Sequence, residues 1–107
     1  MIAYLDGVVS EVRQGSVIMQ TGAFGLEVFA PKSTLMACQV GSAVRLHTHL
    51  IVKEDELSLV GFHQADMLRL FGYLLSVSGV GAKLAIAILS ALPTTLLARA
   101  ILEEDAG

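Results

Sequence analysis

The chain has 107 residues, of which 54% are hydrophobic, and its formal net charge is −3. A chain of this length holds one ordinary domain or two very small ones, and this much apolar surface exceeds what a small monomer can bury, so we expect self-association. No membrane is expected, because the longest charge-free run, residues 84–98, is too short to span a bilayer, and the amino terminus lacks the basic and apolar segments of a secretory signal.

The first part of the chain is predicted to be β structure. Short runs rich in Val, Ile, Leu and Phe are separated by glycine or proline, and a brief helical pattern at residues 32–39 precedes the fourth run. The runs cover residues 2–10, 16–20, 24–30, 43–52 and 57–62. Five strands in so short a segment favour a small closed barrel of the OB type, with an open sheet as the alternative.

The second part of the chain has a helical period. Apolar residues recur at helical spacing over residues 64–75, residues 84–89 are apolar on all sides, and Pro93 suits the opening turn of a third helix. We therefore predict an α+β fold, with a barrel domain at residues 1–62 and a helical domain at residues 63–107.

A glycine hairpin connects the first two predicted helices. It reads Gly79-Val80-Gly81, and Lys83 follows at the start of the second helix. Glycine permits positive φ and a close approach of ligand to backbone, while the first amides of a helix lack intrahelical acceptors and favour an anion. With the lysine cation, this predicts a nucleic-acid phosphate clamp that is sensitive to salt and indifferent to base sequence. The alternative is a helix cap and turn alone. A Rossmann site is excluded, because no strand precedes the glycines and the third spaced glycine is missing.

The negative net charge opposes a nucleic-acid partner, since such proteins usually carry a basic excess. The acidic residues cluster at residues 54–56 and 103–105, and Lys83 has no close acidic neighbour in sequence. We therefore predict that the charges are segregated on the surface.

Other candidate chemistry is sparse. The acidic run 54–56 lies between the two longest β runs and is predicted to be a solvated hairpin turn, because adjacent carboxylates at a turn diverge rather than converge on a metal. His47 and His49 share one strand face, but no further ligand joins them at metal-binding spacing, so a polar barrel face is the favoured interpretation. Cys38 is the single cysteine, which excludes an internal disulfide and fits a cytoplasmic protein. We expect no cofactor, no metal and no catalysis by the chain alone.

Three features in this order resemble the amino-terminal half of the RuvA family, bacterial subunits that recognise Holliday junctions for branch migration. They are the predicted barrel, a charged hairpin at residues 53–56 that runs into Gly61-Phe62, and the glycine hairpin with its lysine. The likeness covers essentially the whole chain.

The resemblance implies an OB-fold barrel followed by a helix-hairpin-helix domain, in a non-catalytic DNA-binding subunit of a helicase complex. Such subunits bind four-way junction DNA as a homotetramer or octamer and serve recombination, DNA repair and the SOS response. The family's phosphate contacts would fall on Gly79, Gly81 and Lys83. Its central acidic pin, which repels DNA backbone at the crossover, would be formed by Glu54 and Asp55.

The chain also departs from the family pattern. Family members usually carry proline where Ala82 stands, and often basic residues where Tyr4 and Asp6 stand. They continue into a second helix-hairpin-helix and a third domain that engages the RuvB ATPase. We therefore expect a fragment whose contact with RuvB needs a domain outside it, with the RuvC resolvase as a further partner.

Two other functions remain open. One is an adaptor for single-stranded DNA or RNA, which would need stacking aromatic side chains on the barrel. The other is a metal-dependent nuclease that uses the carboxylate turn.

Overall fold

The structure is a computed structural model that describes residues 2–91. In chain order its elements are β1 (Tyr4–Val12), β2 (Ser16–Thr21), β3 (Phe24–Phe29), α1 (Lys32–Ala37), β4 (Ala43–Val52), β5 (Leu57–Phe62), α2 (Ala65–Leu75) and α3 (Ala82–Ala91). The predicted third helix after Pro93 and the acidic run 103–105 lie outside the described residues.

The strands form a closed barrel in the order β1-β2-β3-β5-β4. All neighbours are antiparallel except β3 and β5, which pair in parallel through Val28 with Leu59 and Phe29 with Val60. The five predicted strands and the α+β fold are thus confirmed, and the open-sheet alternative is wrong. β1 begins and ends two residues later than predicted, because its second half turns from β4 to pair with β2 as far as Val12.

The barrel interior is a dense apolar core. Its fully or largely buried side chains are Leu5, Val9, Val17, Met19, Val28, Cys38, Leu46 and Leu59. Gly61 also faces inward, where a Cβ atom would lie 2.6 Å from Val28 Cγ1, so the packing at this point leaves room only for glycine. Burial raises the pKa of the Cys38 thiol, which fits the expected structural role of this cysteine.

A second apolar core joins the helices to the outside of the barrel. Its buried members are Val60, Phe62, Met67, Phe71, Ala85 and Leu89. Val60 and Phe62 point away from the barrel interior, and the Phe62 and Phe71 rings pack with centroids 5.1 Å apart. The predicted boundary near His63 therefore lies between two segments that share one core, and α2 and α3 are held in a fixed position on β5.

Among residues 2–91, no helix is both long and apolar enough to cross a membrane.

Candidate nucleic-acid interface

The turn between α2 and α3 is built by backbone hydrogen bonds. The amide of Val77 donates to the carbonyl of Leu74, and the amide of Val80 donates to the carbonyl of Val77, both at 3.1 Å. Gly79 has a φ of +86°, a conformation that glycine adopts without the cost other residues incur. The Val80 side chain packs against the second core and so anchors the turn. The sequence also places Val80 among the predicted phosphate-binding residues, but its amide is already bonded, so it offers a phosphate no free backbone donor.

The amino terminus of α3 presents free amides, as the sequence predicted. The first intrahelical bond runs from the Ala85 amide to the Gly81 carbonyl at 2.9 Å. The amides of Ala82, Lys83 and Leu84 therefore precede the first bonded turn and have no intrahelical acceptor. These donors point out of the fold at the helix end where the macrodipole is positive.

The two glycines of the hairpin have different backbone conformations, so the reason for glycine at Gly81 differs from the reason at Gly79. The φ of Gly81 is not positive, so of the two glycines only Gly79 uses the left-handed backbone that glycine permits. A Cβ atom at Gly81 would meet no atom within 4 Å, so packing does not require glycine either. The N-cap position of Gly81 suits glycine no better than other capping residues, whereas a ligand that approaches the backbone closely would require a residue without a side chain.

Lys83 supplies a cation beside these amides. Its side chain is exposed, and no carboxylate of the described residues lies within ion-pair distance of its Nζ. The lysine is therefore available to an external anion.

The acidic run forms a tight hairpin turn between β4 and β5, as predicted. The Lys53 amide donates to the Glu56 carbonyl at 2.8 Å, and the Glu56 amide donates back to the Lys53 carbonyl at 3.4 Å. Glu54 and Asp55 occupy the exposed tip, where neither carboxylate has an ion pair or hydrogen bond within residues 2–91. Glu56 is different, because its carboxylate accepts a hydrogen bond from Ser58 Oγ at 3.0 Å and lies 3.7 Å from Lys53 Nζ.

The metal-site candidates gain no support. No three potential metal ligands come together in the described part of the chain. His47 and His49 do lie on the same outer face of β4, as predicted, and the His49 ring packs edge-on against Phe71 with centroids 5.7 Å apart.

The acidic hairpin and the glycine hairpin line one cleft, a proximity that the sequence did not predict. The cleft has a volume of about 490 Å³, and its walls are Ile51, Lys53, Glu56, Gly81, Ala82, Lys83 and Leu84. Residues nearly thirty positions apart in sequence meet here because α2 packs on β4 and β5, and α3 packs on α2 within the second core. The predicted phosphate clamp and the base of the predicted pin are therefore adjacent within one protomer.

The outer face of β1 and β4 carries a compact charged pair. Arg45 Nε and Nη2 donate to the two carboxylate oxygens of Asp6 at 2.7 and 2.8 Å, and the guanidinium lies 4.0 Å from the centroid of the Tyr4 ring. The hydrogen bonds from Arg45 hold the pKa of the Asp6 carboxyl below its ordinary value. Asp6 thus neutralises the arginine on this outer face.

Residues 1–61 match the family model of the RuvA N-terminal domain. The chain belongs to this family. The match covers the barrel, and the resemblance stated from the sequence is confirmed.

Curated relatives extend the similarity through the helices. The chain is 51% identical over 106 residues to the Holliday junction branch migration complex subunit RuvA of Thermus thermophilus. The aligned region covers 99% of the chain and 56% of that protein. It is 49% identical over 105 residues to the RuvA subunit of Deinococcus radiodurans, covering 98% of the chain and 52% of that protein. The chain is 47% identical over 91 residues to the RuvA subunit of Chloroflexus aggregans, and the aligned region covers 84% of the chain and 47% of that protein. The chain therefore spans about half the length of the curated relatives it matches.

Proposed function

We propose that this chain is the junction-recognising amino-terminal part of a non-catalytic DNA-binding subunit that supports ATP-driven branch migration. One observation carries the proposal: the free amides and lysine at the start of α3 open onto the same cleft as a hairpin with two unpaired carboxylates at its tip. The family of the chain and the names of its relatives support the same function.

The proposed phosphate contact is electrostatic. A backbone phosphate approaches Gly81, where no side chain intervenes, accepts hydrogen bonds from the first amides of α3 and pairs with Lys83. None of these groups reads a base edge, so the contact holds DNA of any sequence. Preference for a junction must then come from the arrangement of several clamps.

The carboxylates of the proposed pin repel the DNA backbone at the crossover. If four protomers meet around the crossover, their Glu54 and Asp55 side chains place eight carboxylates near its phosphates. Each exposed charge pair repels by about 1 kcal/mol or less through water, but the effect accumulates because the carboxylates have no cation partners within the described fold. The strands would be kept apart at the crossover and held along the arms.

Assembly into a homotetramer, or an octamer of two tetramers, is part of this proposal. Val52 and Leu57 face each other across the base of the pin hairpin and are 71% and 70% exposed. Such a large exposed apolar pair is typical of a surface that is covered in an assembly. Light scattering at tens of micromolar should give a mass well above one protomer. The RuvB ATPase and the RuvC resolvase are the proposed partners, on cytoplasmic DNA in recombination, repair and the SOS response.

The test compares a four-way junction, a duplex and a single strand in gel shifts at several salt concentrations. Lys83→Ala should weaken junction and duplex binding together and reduce the salt slope by about 0.9 for each phosphate that the protein no longer neutralises. Lys32→Ala is the matched control, because this exposed lysine begins α1 and does not line the cleft.

Two outcomes would contradict the proposal. Tighter binding to single strands than to the junction would favour the adaptor alternative. Cleavage of the DNA with added magnesium would favour the nuclease. Equal binding by the Lys83→Ala protein and the parent at all salt concentrations would mean that the glycine hairpin is only a turn.

A further inference from the structure

The cleft between the two hairpins contains a second lysine, which is not part of the proposed clamp. Lys53 stands at the base of the acidic hairpin and lines the cleft together with Lys83. We propose that Lys53 and Lys83 hold one DNA phosphate between them where a junction arm begins beside the crossover, and that Glu56 restrains Lys53 while the protein is free. This inference rests on the proposed function and names a further residue that determines its preference for junctions.

The position of Lys53 is fixed by its backbone. Its amide and carbonyl are both bonded to Glu56, so the root of the side chain is held at the wall of the cleft while the ammonium remains mobile. The side chain is 61% exposed, which leaves the ammonium free to reach a ligand. The flexible stem of lysine allows this movement without any change in the hairpin.

The charge balance of the cleft favours an anion. Two lysines and one glutamate line it, which leaves a net charge of +1 in a chain whose total is −3. The structure also brings Glu56 of the acidic run into the same cleft as Lys83, so this local balance is not the separation of the acids from Lys83 that the sequence predicted. The other wall residues are apolar or glycine, so no further carboxylate lines the cleft.

Glu56 is held by a partner other than Lys53. Its Oε1 accepts a hydrogen bond from Ser58 Oγ at 3.0 Å, whereas its Oε2 lies 3.7 Å from Lys53 Nζ, beyond normal hydrogen-bond length. An exposed ion pair of this length is weak, while an ammonium–phosphate hydrogen bond is charge-assisted and stronger. Lys53 can therefore exchange Glu56 for a phosphate, and Glu56 stays in place on Ser58.

The location of the proposed Lys53–phosphate contact predicts that it favours a junction over a duplex. Lys53 adjoins Glu54 and Asp55 in the same hairpin, so DNA backbone would be attracted at the base of the hairpin and repelled at its tip. A plain duplex has no strand that turns at this point. The contribution of Lys53 should therefore be larger for a junction than for a duplex, whereas that of Lys83 should be similar for both.

The experiment measures fluorescence anisotropy of a labelled four-way junction and a labelled duplex at four salt concentrations. The variants of the full chain are Lys53→Gln, Glu56→Gln, their combination and Lys83→Gln, with Lys32→Gln as the control. Lys53→Gln should weaken junction binding about five- to tenfold, weaken duplex binding less, and lower the junction salt slope by about 0.9 for each phosphate no longer neutralised, with one such phosphate in each protomer. Glu56→Gln should tighten junction binding about two- to threefold, and the double variant should match Lys53→Gln alone.

Each of the remaining outcomes overturns a defined part of the inference. If Lys53→Gln binds as the parent does while Lys83→Gln binds more weakly, Lys53 makes no contact and the proposed function still stands. If Glu56→Gln tightens binding equally with and without Lys53, the glutamate repels DNA directly and does not restrain the lysine. If neither lysine variant changes binding, the proposed function fails together with the inference.

Discussion

Gly81→Val separates the demands of folding from those of DNA binding. The backbone at Gly81 does not use positive φ, and the added Cβ atom would meet nothing within 4 Å. The residue caps α3, since its carbonyl accepts the first intrahelical bond. Replacing a capping glycine with valine should cost about 1 kcal/mol or less of the free energy of unfolding. The variant should therefore fold.

The expected loss in binding is much larger than this loss in stability. A valine side chain would stand where the phosphate approaches the amides of Ala82 and Lys83. Loss of one charge-assisted hydrogen bond costs about 1.5–3 kcal/mol, which corresponds to about ten- to a hundredfold in the dissociation constant. Junction and duplex should be affected alike, because both present the same backbone.

Two other glycines serve as controls for the same measurement. Gly72 lies within α2, and a Cβ there would also meet nothing within 4 Å, so Gly72→Ala should raise stability by about 0.5–1 kcal/mol and leave binding unchanged. Gly79→Ala should lower stability by about 1–2 kcal/mol, because its φ of +86° is unfavourable for any residue with a Cβ.

The assay combines chemical denaturation with anisotropy titration of each variant. A Gly81→Val protein that folds and binds DNA as tightly as the parent would refute the reasoning, since the backbone of Gly81 would then not be approached by phosphate. Loss of binding in Gly72→Ala would show that the assay responds to something other than the clamp.

Three further predictions test the pin, the second core and a half-buried histidine. Glu54→Gln combined with Asp55→Asn should leave stability unchanged, tighten DNA binding and reduce the junction-to-duplex affinity ratio; an unchanged ratio in gel shifts would leave only a solvated turn. Phe71→Ala should cost about 3–5 kcal/mol, since the ring is fully buried against Phe62, and a loss below about 1 kcal/mol on denaturation would contradict that packing. Burial lowers the pKa of His63, so the unfolded chain takes up a proton first and stability should fall as pH drops below about 6.5; a His63→Gln protein should lose that part of the dependence in thermal melts, and an identical pH profile would contradict it.

The His63 prediction also has a geometric basis. Its Nδ1 lies 2.8 Å from Thr34 Oγ1, and the same oxygen accepts a hydrogen bond from the His63 amide at 3.3 Å. The Thr34 hydroxyl can donate its own proton to Nδ1 only when the imidazole is neutral with its proton on Nε2, whereas a protonated ring would itself donate from Nδ1. Thr34 is fully buried, so a protonated ring would leave its hydroxyl proton without this acceptor.

The elements of the fold were predictable because their signals are local. Alternating apolar residues and glycine-bounded runs gave the five strands to within two residues, and the period of 3.6 gave α2. The sites on the hairpins were also visible as residue types, since a lysine after two glycines and adjacent acids at a turn need no tertiary information. The sequence does not show which acceptor each backbone amide is bonded to. The Val80 donor is used within the turn, and only the folded chain reveals that.

The shared cleft could not be predicted, because it depends on how two separate segments pack. One signal pointed toward it. β5 contains Val60 and Phe62 on the face that an isolated barrel would expose to water, so its sequence is apolar on both sides. A strand that is apolar on both faces is expected to be covered on both. That observation predicts helices on β5, but not that the start of α3 would meet Lys53.

The position of the charges accounts for how an acidic chain can be suited to DNA. A net charge of −3 is a sum over the whole molecule, whereas a phosphate in the cleft responds mainly to groups within about 8 Å at physiological salt. Lys53 and Lys83 lie on the cleft walls, the unpaired acids Glu54 and Asp55 lie at the tip, and Asp6 cancels Arg45 on another face. Attraction is thus concentrated beside repulsion in one hairpin. That pattern favours discrimination between backbone geometries over affinity for any DNA, which is what a junction-specific subunit requires.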